Sequence, residues 1–293
     1  MLIRLMVFLS LALHPAGFLW GQADSDDLKA SFLGQHPFQH QRLTESSALV
    51  ASGNQKDIIW TLNDSNNPAE LFATDTLGRD RGVVRIEGAE NVDWEAMARA
   101  RCGNADCLYV ADTGDNRERR TSVQIYRIRE PRAGSDSVAR PNAILSITYP
   151  DKPHNVEAIL VTPAQDVYLI TKTSAEGPMV FRVPGSAWSL KEIQAQLIQA
   201  LPIPSNQAGS FLVTDATLRE DGRVAVRTYR YVYFFRFDGN RLTPATNGFR
   251  CDASGLELQG EGITWLGGDT LATSSERVAM AVGGISRIAC GPR

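Results

Sequence analysis

The 293-residue chain has little of what marks a thiolate-metal protein, a nucleic-acid binder or an integral membrane protein. Four cysteines and four histidines, not clustered with one another, leave too few soft ligands for a zinc or copper centre. Lys and Arg number 30 against 33 Asp and Glu, for a net charge of −3. There is thus no basic excess to hold a nucleic acid polymer or an anionic membrane. Past the first twenty residues no long apolar run occurs, so no membrane span is expected there. Helical periodicity is nearly absent. Only Ser189 to Ala200 suits a helix, and its alternating Ile/Gln pattern suits an outer strand equally. Gly-x-Ser-x-Gly elbows, Gly-rich phosphate loops and Ser-His-Asp spacing are missing, which removes the commonest hydrolase and nucleotide signatures. A hydrophobic content of 43% excludes disorder.

What is present begins with a leader. Arg4 precedes an apolar run from Leu5 to Trp20, and Gly21-Gln22-Ala23 offers small residues for cleavage. Met1 to Ala23 therefore reads as a secretory signal peptide, with 24–293 a single secreted or periplasmic domain. Its loss removes Arg4 and moves the charge from −3 to −4. The four cysteines, Cys102, Cys107, Cys251 and Cys290, fit two disulfides in an oxidising compartment. Three pairings are open, and the short Cys102–Cys107 spacing favours a bridged hairpin loop, leaving Cys251 with Cys290.

Five places share a pattern of acidic residue, small residue and apolar strand: Glu45-Ser-Ser-Ala, Glu95-Ala-Met, Glu157-Ala-Ile, Asp215-Ala-Thr and Glu261-Gly-Ile. Their intervals are 50, 62, 58 and 46 residues by subtraction, and a four-stranded blade takes about 40–50 residues. Each acid is followed by a second strand (58–62, 108–111, 167–171, 224–228 and 270–274). Third strands follow at 70–74, 123–128, 179–183 and 231–237, and 143–149 is the best fourth. These segments alternate or are rich in Val, Ile, Tyr and Phe, with Asp221-Gly222 and Asp238-Gly239 as turns. The pattern predicts an all-β protein, a β-propeller of five blades, six being the alternative, with 31–41 closing the last blade. An irregular β-sandwich is the competing fold.

In a propeller the start of each first strand and the end of each second meet at one tunnel mouth. That geometry gathers Glu45, Asp93, Glu95, His154, Asn155, Glu157, Asp215 and Glu261 with Asn63, Asp64, Asp112, Asp115, Asn116, Lys172, Arg227, Tyr229 and Glu276. Five carboxylates around one axis repel one another. A hard oxygen-loving ion relieves this, so Ca2+ is expected on Glu45, Glu95, Glu157, Asp215 and Glu261. The alternative is a water-filled tunnel with hydrogen-bonded carboxylates. Lys172 and Arg227, placed alike in blades three and four, either pair with neighbouring acids or form an anion clamp. With a cation beside that clamp, Glu157 or Asp93 serves as general base and His154 as general acid.

Asp93-Trp94-Glu95-Ala, Asp112-Thr-Gly-Asp-Asn116, His154-Asn-Val-Glu157-Ala and Gly260-Glu261-Gly-Ile resemble a group of bacterial exported propeller proteins of little-known function. That resemblance covers most of the mature chain and implies fold more than activity. Glu45-Ser46, Glu95, Glu157 and Glu261 also resemble the calcium-activated apyrases, five-bladed nucleotidases with one Ca2+ in the tunnel. Asp215 departs from the serine of that family. Phytase-like and esterase-like propellers share the Glu-Gly-Ile type of motif. Three readings follow: a Ca2+-dependent hydrolase of a phosphorylated small molecule, a non-catalytic propeller binding a protein, glycan or small ligand, and a lactonase or esterase. A small anionic ligand or substrate is the expected partner, and the chain is expected to be a monomer.

Overall fold

A computed structural model describes residues 28–205, 209–246, 248–255, 257, 259–277 and 283–291. The leader, Met1 to Ala23, lies outside them. The described chain is all-β, with two 3-10 turns, Gly185–Ser189 and Gly209–Phe211, as its only helical elements.

The strands fold as radial meanders, each starting on an inner strand. Blade one runs Ser46–Ala51, Ile59–Asn63, Glu70–Thr74 and Val83–Ile86. Blade two runs Trp94–Cys102, Ala105–Asp112, Val123–Arg129 and Ala143–Thr148. Blade three runs Val156–Val161, Val167–Thr171, Met179–Val183 and Gln196–Ala200. Blade four runs Val213–Leu218, Arg223–Thr228, Tyr231–Phe237 and Arg250–Asp252. Blade five takes Gly260–Gly267, Thr270–Ser275 and Gly284–Gly291 from the end of the chain and Leu28–Pro37 from its beginning. The inner strands pack side by side in a closed ring, blade one against blades two and five. The chain is a β-propeller, and the described strands make five blades.

The strand expected over 31–41 begins three residues earlier and does close the ring. The doubtful stretch from Ser189 to Ala200 holds two strands and no α-helix. Gln196–Ala200 belongs to blade three, whereas Glu192–Gln194 runs parallel to the outer strand of blade two. Ser137–Ala139 likewise covers the outer edge of blade one, and Leu28–Lys29 meets that of blade four. These parallel strips cap sheet edges that would otherwise offer unpaired N–H and C=O groups to another chain.

The core lies between blades, because each sheet has two faces to cover. Trp60 and Trp94 are fully buried in the wedge between blades one and two, so Trp94 is no sugar-stacking platform. Tyr109 and Phe181 fill the wedge between blades two and three. Tyr233 and Phe235 face blade three, and Leu49 and Phe72 face blade five. Removing one such aromatic costs about 3–5 kcal/mol. Cys102–Cys107 staples the first hairpin of blade two, and Cys251–Cys290 links blade four to blade five.

Candidate functional site at the tunnel mouth

Every inner strand carries a β-bulge near its start, and the bulges set which side chains face the axis. The residue before each bulge pairs with the end of the second strand: Ser46 with Asn63, Trp94 with Asp112, Val156 with Thr171, Val213 with Thr228 and Gly260 with Ser275. The bulged residues are therefore Ser47, Glu95, Glu157, Thr214 and, in blade five, Glu261 with Gly262. A bulge adds one residue and re-aims its side chain. Ser47 Oγ donates to Glu95 Oε2 at 3.0 Å, and Thr214 Oγ1 to the Glu261 carbonyl at 2.9 Å, each reaching the next blade.

A second tier lies above this one. Asp64, Lys172, Tyr229 and Glu276 follow the second strands and donate their backbone N–H groups to Glu45, Asn155, Leu212 and Gln259. In blade two the extra residue Thr113 leaves Gly114 in this place, bonded to the Asp93 carbonyl at 3.0 Å. Glycine is required there. A Cβ on Gly114 would meet Asp93 Oδ2 at 2.5 Å and Glu95 Cγ at 2.7 Å.

Carboxylate oxygens of Asp64, Asp93 and Glu95 come within 4.8 Å of one another. Burial raises all three; the charge of Glu45 adds to it at Asp64, and those of Glu157, Asp64 and Asp93 add to it at Glu95. Asp93 is pushed up to about 7 by burial, then by the charges of Asp64 and Glu157. Glu276 also rises to about 7, through burial and the charges of Asp64 and Glu45. Glu261 is only 4% exposed and stands well above the usual carboxylate range, through burial and then Glu276 and Glu157. No described side chain donates a hydrogen bond to its carboxylate. Against these acids stands Lys172, whose Nζ lies 2.8 Å from Glu157 Oε1. Burial opposes its charge, but Glu157 outweighs that and holds its pKa above the ordinary lysine value. Asn155 Nδ2 donates to the same Glu157 oxygen at 2.8 Å.

Other predicted residues fall elsewhere. Glu45, exposed, lies two residues before the bulge and accepts from Asn67 Nδ2 at 2.6 Å. Asp215 lies one residue beyond it, fully buried below the mouth. Its Oδ2 accepts from Leu49 N at 3.3 Å and Ile263 N at 2.8 Å, and its Oδ1 from Ala216 N at 2.8 Å. The expected ring of Glu45, Glu95, Glu157, Asp215 and Glu261 is thus a tier of three glutamates completed by Ser47 and Thr214.

Arg227 pairs across from Asp215, two residues of register below the level of Lys172, so the two bases are not equivalent. Its guanidinium is 2% exposed, ion-paired to Glu257 and laid over Gly260, where a Cβ would stand 1.6 Å from Nη2. The predicted clamp therefore loses one arm. His154 is buried with its ring against Tyr149 and Phe181 and Nε2 3.0 Å from Asp151, on the blade-packing side rather than the axis. Asn63 bonds the backbone of Arg42, Thr44 and Glu45. Asp112 pairs with Arg120 at 2.8 Å and accepts from Asp93 N at 3.0 Å. Asp115 caps the N–H groups of Arg119 and Arg120, and Asn116 is exposed beside Asn155.

Sequence reading missed Ser47, Thr214, Arg120 and Glu257. The second-strand ends carried the signal for the first two. Aligning Asn63, Asp112, Thr171, Thr228 and Ser275 puts Ser47 and Thr214 opposite the three glutamates.

No family model matches the chain, and no curated protein matches it in sequence. Solved structures share its fold. The PQQ-bound aldose sugar dehydrogenase of Streptomyces coelicolor is 10% identical with a TM-score of 0.51, covering 91% of this chain and 99% of its own. The major Malassezia sympodialis allergen Mala s 1 is 9% identical with a TM-score of 0.57, covering 88% and 96%. Such likeness defines the class as a β-propeller and goes no further.

Proposed function

We propose that this chain is an exported β-propeller that binds a divalent cation, Ca2+, at its tunnel mouth and hydrolyses a small ester or lactone there. The convergence of Asp64, Asp93 and Glu95 carries the reading. These are hard oxygen donors, with no thiol and no imidazole beside them, which suits Ca2+ better than zinc or copper. Gly114 leaves the cradle open, and Glu261, to which no described side chain donates a hydrogen bond, is a further buried carboxyl group of the mouth. A bound ion would polarise a carbonyl oxygen and acidify water. Glu276, held near neutrality in its protonation, is the group proposed to take a proton.

A phosphorylated substrate loses its basis here. Arg227 is committed to Glu257 and Lys172 to Glu157, so a doubly charged anion would enter a mouth already rich in carboxylates. Export rests on the leader-like segment before Asp24 and on two disulfides.

Calorimetry with Ca2+, followed by turnover of lactones, carboxylic esters and phosphate esters with and without chelator, tests the proposal. Chelator-sensitive lactone or ester turnover is the expected result. Absence of Ca2+ binding would sink the metal site. Binding without turnover on any class would leave a non-catalytic ligand-binding propeller, and phosphate release alone would restore the phosphoesterase.

A further inference from the structure

The inner strands that start at the acidic mouth end at an opposite one. Ala51, Val161, Leu218 and Gly267 close the inner strands of blades one, three, four and five, and Arg99 lies near the end of that of blade two. Together they line a cavity of about 360 Å3 with mostly apolar walls, Met97, Ile159 and Leu160 among them. Its charged lining residues are Arg99, Arg219 and Glu220, two guanidiniums against one exposed carboxylate. Both arginines hold their acidic partners loosely. Arg99 shares Asp106 with Arg101, each at 3.3 Å. Asp221 and Asp269 lie 2.9 and 2.5 Å from Arg223 but 3.5 and 3.6 Å from Arg219. Arg219 also donates to the Gly268 carbonyl, and its guanidinium carbon lies 5.6 Å from the centre of the Trp265 ring. Trp265 lines the same cavity, and its buried indole N–H has no acceptor among the described residues. A buried donor left so costs stability until a ligand or water satisfies it.

We propose that this far mouth binds a small organic carboxylate with an apolar body, independently of any cation at the other mouth. Arg219, with Arg99, takes the carboxylate, since the planar fork of a guanidinium matches its two oxygens. The aliphatic walls take the hydrocarbon, and the Trp265 indole supplies a further donor. A concave, largely apolar site with a few polar groups is the usual form of a small-ligand pocket. A cation would meet two guanidiniums, and a sugar would leave hydroxyls unpaired against the aliphatic wall.

Calorimetry of the mature protein with phenylpropionate, against phenylpropanol and phenylpropylamine, tests this in chelator and again in Ca2+. The carboxylate binds equally in both, and the alcohol and amine bind about tenfold or more weakly. The indole N–H resonance of Trp265, read by NMR, moves on binding. Arg219→Gln weakens carboxylate binding by about ten- to a hundredfold. Thr217→Phe, which fills the cavity from its lining and keeps both arginines, abolishes it. No binding to wild type at millimolar carboxylate overturns the inference. So does binding that requires Ca2+, which places the ligand at the acidic mouth, or unchanged affinity in either variant. Where one variant fails to fold, the other decides.

Discussion

Asp215 Oδ2 accepts a hydrogen bond from the backbone N–H of Ile263 at 2.8 Å, tying the inner strand of blade four to that of blade five. The same oxygen accepts from Leu49 in blade one, so one carboxylate spans three blades below the mouth. Replacing it with alanine orphans buried N–H groups. Asp215→Ala should lower stability by about 2–5 kcal/mol without changing Ca2+ stoichiometry. A loss below about 1 kcal/mol in chemical denaturation would show that the strands need no staple.

The buried Arg227–Glu257 pair makes a second test. Arg227→Met strands the Glu257 carboxylate and should cost about 3–5 kcal/mol. Adding Glu257→Gln should recover part of that loss. If Arg227→Met instead folds normally and weakens only anion binding, the arginine belongs to the ligand site after all.

The cation ligands should show opposite signs with and without metal. In chelator, Asp93→Asn removes one of three crowded carboxylates and should raise the melting temperature. In Ca2+ it should lose most of the ion-dependent gain, and Glu95→Gln should behave likewise. Equal Ca2+-dependent shifts in wild type and both variants would contradict the ligand assignment.

The pH dependence of the metal-free protein has a definite sign. Asp93 and Glu276 sit near 7 in the folded state, above unfolded values of about 4. The folded chain therefore binds more protons than the unfolded one across that interval. Stability from these groups is full below about pH 4 and is lost as pH rises through about 7. Ca2+ should flatten the decline. Melting curves in chelator that climb between those limits would refute the assignment.

Most of the fold was legible because strand and turn chemistry is local. The third strands Glu70–Thr74, Met179–Val183 and Tyr231–Phe237 stand where alternation and β-branched content put them. The site was half legible, because facing depends on register. A bulged residue shifts every following side chain, and an acid beside the bulge looks in sequence like an acid on it. Thus Glu95, Glu157 and Glu261 were aligned correctly with one another, whereas Glu45 and Asp215 were each misplaced by two residues and one. The same slip paired Arg227 with Lys172, although Tyr229 is the residue at that level. Glu257 was invisible for another reason: no local pattern reveals the partner of a buried arginine.

The strand Leu28–Pro37 completes the blade whose other strands end at Gly291. Blade five therefore cannot assemble until the chain has been made through Gly291. Leu28–Pro37 must wait for Gly284–Gly291 before its antiparallel ladder can form. Contacts so far apart in sequence slow folding. A chain arrested before Gly284 should accumulate as an open, protease-sensitive form, with Cys251 still lacking its partner at Cys290.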